Sequence, residues 1–317
     1  MRAGRQPRFW LPMPREGCRW NDVGYWGKKR KLLTLPYTYF LGTQTVSLCQ
    51  LNCMSPELMM WFVLATKMAV TALFVTAATI IAERLGATVG ALVATLPVSA
   101  GPVYVFLALD HDSTFISSSA VASLALNSAT AIYLTAYVLI AQRRSMWLSI
   151  SLAFVMWLAA VLVLSPVQWA AWSASALNVI VFTACTFIVQ PFCFVRIPRI
   201  TRPWYDFVLR AGLVASLVGV VVTLSFQIGP TGSGVLAVFP VIYTSIMLIL
   251  HRRVGGPATA AVLANAVPAL AGFGLALLTL HLAAVPLGSG AALIIALGVS
   301  VVWNAVVYAI RRCQALA

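Results

Sequence analysis

Long apolar runs alternate with short joins along most of this chain, and the pattern predicts helices that cross a membrane. Several runs reach the roughly 20 residues that a spanning helix needs, whereas the strands of a β-barrel would be about 10 residues of alternating polarity. Proline and glycine mark the joins, as at Ser165-Pro166. We predict nine helices, at about Met59–Ala82, Thr88–Ala108, Phe115–Ala141, Met146–Leu164, Trp172–Phe192, Trp204–Phe226, Thr231–Leu250, Pro257–His281 and Ser289–Ile310.

Composition points to the same class of protein. Of the 317 residues, 61% are hydrophobic and 9% are charged, whereas a soluble globular chain carries about 25% charged residues. We therefore predict an all-α, polytopic integral membrane protein whose main partner is the lipid bilayer. The net charge of +14 is concentrated at the ends of spans and in residues 1–31, which hold nine of the 21 Lys and Arg. This distribution indicates membrane topology and no nucleic-acid binding.

Arginine follows alternate helices. The joins after predicted helices one, three, five, seven and nine are basic, whereas the joins after helices two, four, six and eight contain no Lys or Arg. Basic loops stay on the cytoplasmic side of a membrane. We therefore predict that these loops and the C-terminus are cytoplasmic.

Residues 1–58 form a basic and aromatic extension without the apolar region of a secretory signal peptide. Within it, residues 32–51 are moderately apolar, and they are a weak tenth span, an interfacial segment or no element at all. A separate hypothesis is that translation starts at Met54, so that the mature protein lacks the preceding stretch.

One segment of the chain recurs after 143 positions without a gap. Residues 85–98 align with residues 228–241, so that Pro97 meets Pro240. A repeated unit in a hydrophobic chain is a known feature of secondary transporters.

Equivalent positions in the two copies lie five helices apart, and an odd number of spans reverses direction in the membrane. We therefore predict two inverted four-helix units, at residues 59–170 and 204–317. A linking helix and a cytoplasmic loop, at residues 171–203, join them. The same shift aligns Lys67 with Arg210.

The second unit also carries a family pattern. Arg210 lies early in its first helix, the run Gly-Val-Leu-Ala-Val-Phe-Pro occupies residues 234–240, and a basic turn and two apolar helices follow. This half resembles the GlpM-like family of small four-helix bacterial inner-membrane proteins, and the first unit matches the pattern more loosely. The resemblance implies a multi-pass protein of the bacterial inner membrane and implies no particular chemistry.

Two basic residues lie inside predicted spans. Lys67 and Arg210 are each about 9–10 Å from the tryptophan end of their helix, at 1.5 Å per residue. A charge inside a span is costly and suggests a functional site, so one hypothesis is an anion-binding pair near the interface of the repeats. The alternative is that each long side chain reaches back to the membrane surface.

Pro97 and Pro240 lie near the middle of their predicted helices. Each removes a backbone hydrogen bond and frees the carbonyl four residues earlier, at Val93 and Leu236. A freed carbonyl in lipid needs a partner or a water-filled cavity. Broken helices often line transporter sites, and a simple packing kink is the alternative.

Polar residues supply the remaining candidates. Asn127 and Asn265 are candidate substrate-binding residues, with hydrogen bonding between helices as the alternative. Asp110 and Asp112 are interpreted as a solvated loop. The six cysteines and three histidines are scattered, so we predict no metal site and no cofactor.

No carboxylate lies in the middle of a predicted span, and the chain has none of the common catalytic or nucleotide-binding motifs. We therefore predict that the protein is not an enzyme. The predicted function is secondary transport or facilitated permeation of a small solute, with an anion as one candidate and a homo-oligomer as one candidate assembly. The rival hypothesis is a non-transporting scaffold or assembly subunit that acts through a partner.

Overall fold

The computed structural model describes residues 56–84, 100–193 and 204–316, and every regular element in these ranges is helical. A 3-10 turn at Gln190–Phe192 follows the fifth helix. The helices are α1 (Pro56–Arg84), α2 (Ala100–Asp110), α3 (Ser113–Ile140), α4 (Met146–Leu164), α5 (Ala171–Val189), α6 (Trp204–Ala237), α7 (Val241–Val254), α8 (Gly256–Leu287) and α9 (Ser289–Leu316).

Seven helical segments among the described residues are long and apolar enough to cross a membrane. The all-helical class is therefore confirmed, and the segments indicate a multi-pass membrane protein. The predicted count of nine spans stays a prediction. The basic extension, the weak tenth span and the start at Met54 fall outside the described residues, as do residues 85–99 and 194–203.

Helix α3 lies at the centre of the bundle and packs on α4, α5, α6 and α8. Of its most apolar window, 78% is buried, against 11% for α1. Its middle is rich in serine and alanine, and small side chains let neighbouring backbones approach closely. Helices α4 and α5 instead expose large apolar side chains such as Leu162 and Phe187, as expected for surfaces that face lipid.

The most extensive packing in the bundle joins α3 to α8, and these two helices run antiparallel. Three contacts fix this direction, those of Ser117 with His281, Asn127 with Leu270 and Ala141 with Gly256. From one contact to the next, the residue number on α3 increases while the residue number on α8 decreases by nearly the same amount. The contact therefore extends along almost the full length of both helices.

The structure places one interruption where it was predicted and a second where it was not. The range Trp204–Ala237 given for α6 comprises two helical pieces that meet across a kink at Gly229, which lies in the join predicted between Phe226 and Thr231. The backbone of Gly229 has φ 66 and ψ −170, and a positive φ of this kind favours glycine. The chain leaves the helix again at residues 238–240, so the helix predicted at Thr231–Leu250 is interrupted there.

A glycine substitution tests the close packing of α3. A Cβ atom on Gly234 would lie 2.5 Å from the backbone oxygen of Ser119, so we expect Gly234→Ala to lower the free energy of unfolding by about 1–3 kcal/mol. The measurement is thermal unfolding of the purified protein in detergent.

Gly212→Ala is the matched control, because nothing lies within 4 Å of the added atom. It should be neutral or stabilising, since alanine favours helix over glycine by about 1 kcal/mol. Equal losses in the two variants would contradict the close contact.

Candidate functional site

Residues 230–254 form a helix in two pieces, which we call the broken segment. Its first piece is the end of α6, residues 230–237, and its second is α7. At 1.5 Å per residue the pieces are about 12 and 21 Å long, so that together they match the roughly 30 Å thickness of a bilayer core. The interruption at residues 238–240, which we call the break, therefore lies inside the span.

Backbone carbonyls at the end of α6 find partners on α3. The Ser123 hydroxyl donates to the Gly234 carbonyl at 2.7 Å, and the Thr130 hydroxyl donates to the Val238 carbonyl at 3.2 Å. The Leu236 carbonyl, which the sequence predicts to be freed by Pro240, accepts from the Phe239 amide at 3.1 Å. These bonds satisfy carbonyls that the apolar side chains around them cannot bond.

Hydroxyl groups also fix the start of α7. The Thr244 hydroxyl donates to the Pro240 carbonyl at 2.8 Å, and the Tyr133 hydroxyl lies 2.8 Å from the Thr244 hydroxyl. Since the Thr244 proton points to Pro240, Tyr133 acts as the donor in the second bond. Polar side chains of α3 thus hold both sides of the break.

Helix α2 packs on α6 and reaches the same region of α3. The Tyr104 hydroxyl lies 2.6 Å from the Ser123 hydroxyl and donates to the Ser119 carbonyl at 3.1 Å. Among the described residues, α2 is an apolar segment of 11 residues, about 16 Å long. Two short helical pieces, α2 and the end of α6, therefore converge on the same serines of α3.

Three buried oxygen atoms near this convergence have no hydrogen-bond partner within the described part of the chain. They are Ser119 Oγ, Ser233 Oγ and Asn127 Oδ1, on residues that are at most 1% exposed. A buried polar group without a partner costs about 1–3 kcal/mol. These oxygens are the strongest candidates for contact with a bound solute.

Asn127 lies at the junction of α3, α5 and α8. Its Nδ2 donates to Asn178 Oδ1 at 3.2 Å and to the Leu270 carbonyl at 3.4 Å. Asn178 in turn donates to the Leu124 carbonyl and to the Ser128 hydroxyl. The Nδ2 of Asn127 thus makes the bonds between helices that were the alternative to substrate binding, while its Oδ1 has no partner in the part of the chain that the structure describes.

Asn265 lies apart from this network. Its Nδ2 donates to the Ala261 carbonyl at 2.8 Å on its own helix and to the Cys193 carbonyl at 3.1 Å. The contact ties α8 to the end of the 3-10 turn. Pro240 forms the N-cap of α7, and its predicted equivalent Pro97 falls outside the described residues.

Lys67 is paired with an acidic residue 43 positions away. Its Nζ lies 2.6 and 2.7 Å from the two carboxylate oxygens of Asp110, and the two side chains are only 14% and 19% exposed. The same Nζ is 5.9 Å from the centre of the Phe106 ring. The interpretation of Asp110 as a solvated loop residue was therefore wrong, because this carboxylate neutralises the charge that Lys67 carries into the span.

Lys67 and Arg210 occupy different levels of the packing between α1 and α6. Met68, the neighbour of Lys67, contacts α6 beside Gly219. Arg210 lies nine residues earlier on α6 and is half-buried, a separation of about 13 Å along the helix. The structure therefore does not bring the two predicted basic residues together.

His111 closes the same end of the bundle as the Lys67–Asp110 pair, and the sequence analysis assigned it no role. Its Nε2 lies 2.9 Å from the Ser225 hydroxyl of α6, and its ring stacks on Phe115 at 3.8 Å and on Phe226 at 4.4 Å. The four-residue spacing of His111 and Phe115 could have predicted that their rings lie close enough to stack. The contact with Ser225 could not be predicted in this way, because the two residues are 114 positions apart.

Asp112 starts α3 and is exposed. It accepts from the Phe115 amide at 2.9 Å and from the Thr114 hydroxyl at 2.9 Å, as a helix N-cap does. These two bonds hold the pKa of the Asp112 carboxyl below its usual range.

No family model, no curated protein and no solved structure matches this chain. The resemblance of the second half to the GlpM-like family therefore stays a prediction. The function is argued from the geometry above.

The Lys67–Asp110 pair predicts strong coupling between two substitutions. Lys67→Met and Asp110→Asn each leave one largely buried charge without its partner, so we expect each to cost about 2–3 kcal/mol, somewhat less than the 3–5 kcal/mol typical of a fully buried pair. The double variant should recover most of that loss. Unfolding in detergent measures all three variants, and additive losses would contradict the pairing.

The His111 contact predicts a loss of stability in acid. Burial is the main cause that lowers the pKa of His111 below its ordinary 6.5, and Lys67 adds to it against the opposing effects of Asp110 and Asp112. Because the unfolded chain then binds the proton more readily, stability should be complete above about pH 6.5 and fall as the pH drops through the folded-state pKa.

His111→Gln retains a polar group for Ser225 without titrating in this range. Its melting temperature should depend less on pH than that of the natural chain between about pH 7 and pH 5. Identical pH profiles for the two proteins would remove His111 as the titrating group.

Proposed function

We propose that this protein is a secondary transporter or permease for a small solute, built from two inverted units around the broken segment. The observation that carries the proposal is the break at residues 238–240 beside buried oxygens that have no hydrogen-bond partner among the described residues. In transporters, interrupted helices of this kind form solute sites near the middle of the bilayer. The predicted location is the bacterial inner membrane, with the C-terminus in the cytoplasm.

The packing of α3 on α8 supports the inverted arrangement. Asn127 donates to the carbonyl of Leu270, and these residues are 143 positions apart, the same interval that separates the aligned segments of the sequence. Two copies related by a twofold axis contact each other at equivalent positions where the axis passes. Antiparallel α3 and α8, crossing at this pair, are what an inverted repeat requires.

The pairing of the shorter helices agrees with the same symmetry. Helix α2 contacts α9, and α7 contacts α4. Under the 143-residue shift these are equivalent contacts, because α2 corresponds to α7 and α4 to α9. In each unit, the short helix therefore packs against the last helix of the other unit, α2 against α9 and α7 against α4.

The nature of the solute follows from the groups near the break. Hydroxyl and amide groups dominate there, and the charge of Lys67 is already neutralised by Asp110. The start of α7 directs the positive end of its helix dipole toward the break and the end of α6 directs a negative end there, which supports a polar solute with both donor and acceptor groups. The hypothesis of an anion-binding pair of basic residues is replaced by this neutral, hydroxyl-lined site.

Thiol accessibility tests the transport path. In a chain whose six natural cysteines are replaced, a single Val238→Cys should react with a membrane-impermeant methanethiosulfonate reagent added to one side of the membrane. Reaction requires water, because a thiol in lipid does not form the reactive thiolate.

Val155→Cys is the matched control. Val155 lies in the middle of α4 and is 57% exposed on the surface of the bundle, so it should face lipid and stay unreactive. Equal lack of reaction at both positions, from both sides, would overturn the transport proposal and favour the scaffold hypothesis.

A further inference from the structure

The join between α3 and α4 and the end of α7 come together at one end of the bundle. The Tyr137 hydroxyl lies 2.7 Å from His251 Nδ1, and the backbone oxygen of Ala141 touches the position where a Cβ atom of Gly256 would be. Gly255, with φ 82, makes the one-residue turn that brings Gly256 against α3. Two segments that are more than 100 positions apart in sequence therefore form one surface.

This surface carries a concentrated positive charge. Arg143 and Arg144 lie on the first segment and Arg252 on the second, and all three are exposed. Neither residues 137–150 nor residues 246–260 contain an aspartate or a glutamate. The arginine side chains therefore offer several guanidinium groups with no carboxylate of either segment beside them.

An exposed tryptophan places this charge at the level of a membrane surface. The Arg252 guanidinium lies 5.6 Å from the centre of the Trp147 ring, and Trp147 is 61% exposed. Tryptophan is enriched where the bilayer core meets the head groups. The ring and the guanidinium mark the seam between α4 and α7, which pack against each other.

Apolar side chains continue from the tryptophan toward the bilayer core. Phe154 and Leu158 lie seven and eleven residues after Trp147, on the same face of α4, and they are 37% and 43% exposed. Basic head-group contacts followed by an apolar stripe match the two parts of a phospholipid.

We propose that the arginines 143, 144 and 252, together with Trp147, form a binding site for the phosphate head group of an anionic phospholipid. The acyl chains lie along the exposed stripe of α4. Basic pockets between transmembrane helices bind phosphate-bearing lipids in this way, and guanidinium groups suit phosphate because they form paired hydrogen bonds. The site stands independently of the transport proposal, since it lies at the end of the bundle and not at the break.

The test uses the purified full chain in neutral detergent, titrated with dioleoyl phosphatidylglycerol or with dioleoyl phosphatidylcholine. A bound lipid raises the melting temperature by mass action. We expect phosphatidylglycerol to raise it with a saturating dose response and phosphatidylcholine, which has the same chains, to have little effect. Equal responses to the two lipids would overturn the proposal without reference to any variant.

The triple variant R143Q/R144Q/R252Q should lose at least tenfold in apparent affinity for phosphatidylglycerol, since one arginine near a membrane surface contributes roughly a fivefold factor. R311Q/R312Q, at the end of α9, removes two arginines elsewhere and should retain the response. An equal loss in both variants would show an effect of net charge and overturn the site.

A competition experiment with inorganic phosphate distinguishes a site for a lipid head group from a site for the free anion. Millimolar phosphate should neither raise the melting temperature nor abolish the response to phosphatidylglycerol. If it did both, the surface would bind a free anion, and the lipid proposal would be wrong. Arg252→Lys keeps the charge without the planar guanidinium, so it should bind between the natural chain and the triple variant.

Discussion

A helix interrupted inside an apolar bundle has carbonyl groups without partners, and the hydrogen bonds from α3 to the break are what make this structure possible. Ser123 and Thr130 supply donors to α6, and Tyr133 supports the threonine that starts α7. Without such donors each free carbonyl would cost several kcal/mol in a medium that lacks water. The break and the polar face of α3 therefore depend on each other.

This requirement explains why the most buried helix is also rich in hydroxyl groups. Small residues on α3 allow the close approach at Gly234, and their hydroxyls then reach the carbonyls of the approaching backbone. Not all of these groups are used, because Ser119 Oγ and Ser233 Oγ remain without partners among the described residues. An interior with surplus acceptors and donors favours a second set of bonds, formed with a solute or in another arrangement of the broken segment. A carrier needs such a second arrangement in order to expose its site to both sides.

Sequence patterns predicted the elements of this fold better than their interruptions and contacts. The helix at Met146–Leu164 has the predicted bounds, because a polar join before it and a proline after it bracket an unbroken apolar run. The Gly-Pro pair correctly marked the kink at Gly229, whereas the break at residues 238–240 lies inside a predicted helix and was not predicted. The partner of Lys67 was missed because Asp110 is 43 positions away on another helix, and local patterns carry no information on such a distance. Pro240 predicted a freed carbonyl at Leu236, but that carbonyl accepts from the Phe239 amide, and the carbonyls that α3 side chains bond are those of Gly234 and Val238.

The charged residues differ between the two proposed units. Under the proposed inverted arrangement, Lys67 corresponds to Arg210, while its partner Asp110 corresponds to another basic residue, Arg253. The ion pair of the first unit therefore has no direct copy in the second, although the short helices that carry Asp110 and Arg253 have equivalent neighbours. Positions at the two ends of an inverted pair meet opposite surfaces of the membrane, and the cytoplasmic surface favours arginine. The packing of the short helices lies away from that difference, so under this arrangement the helix contacts are equivalent in the two units while the charges at the ends follow the side of the membrane that each end faces.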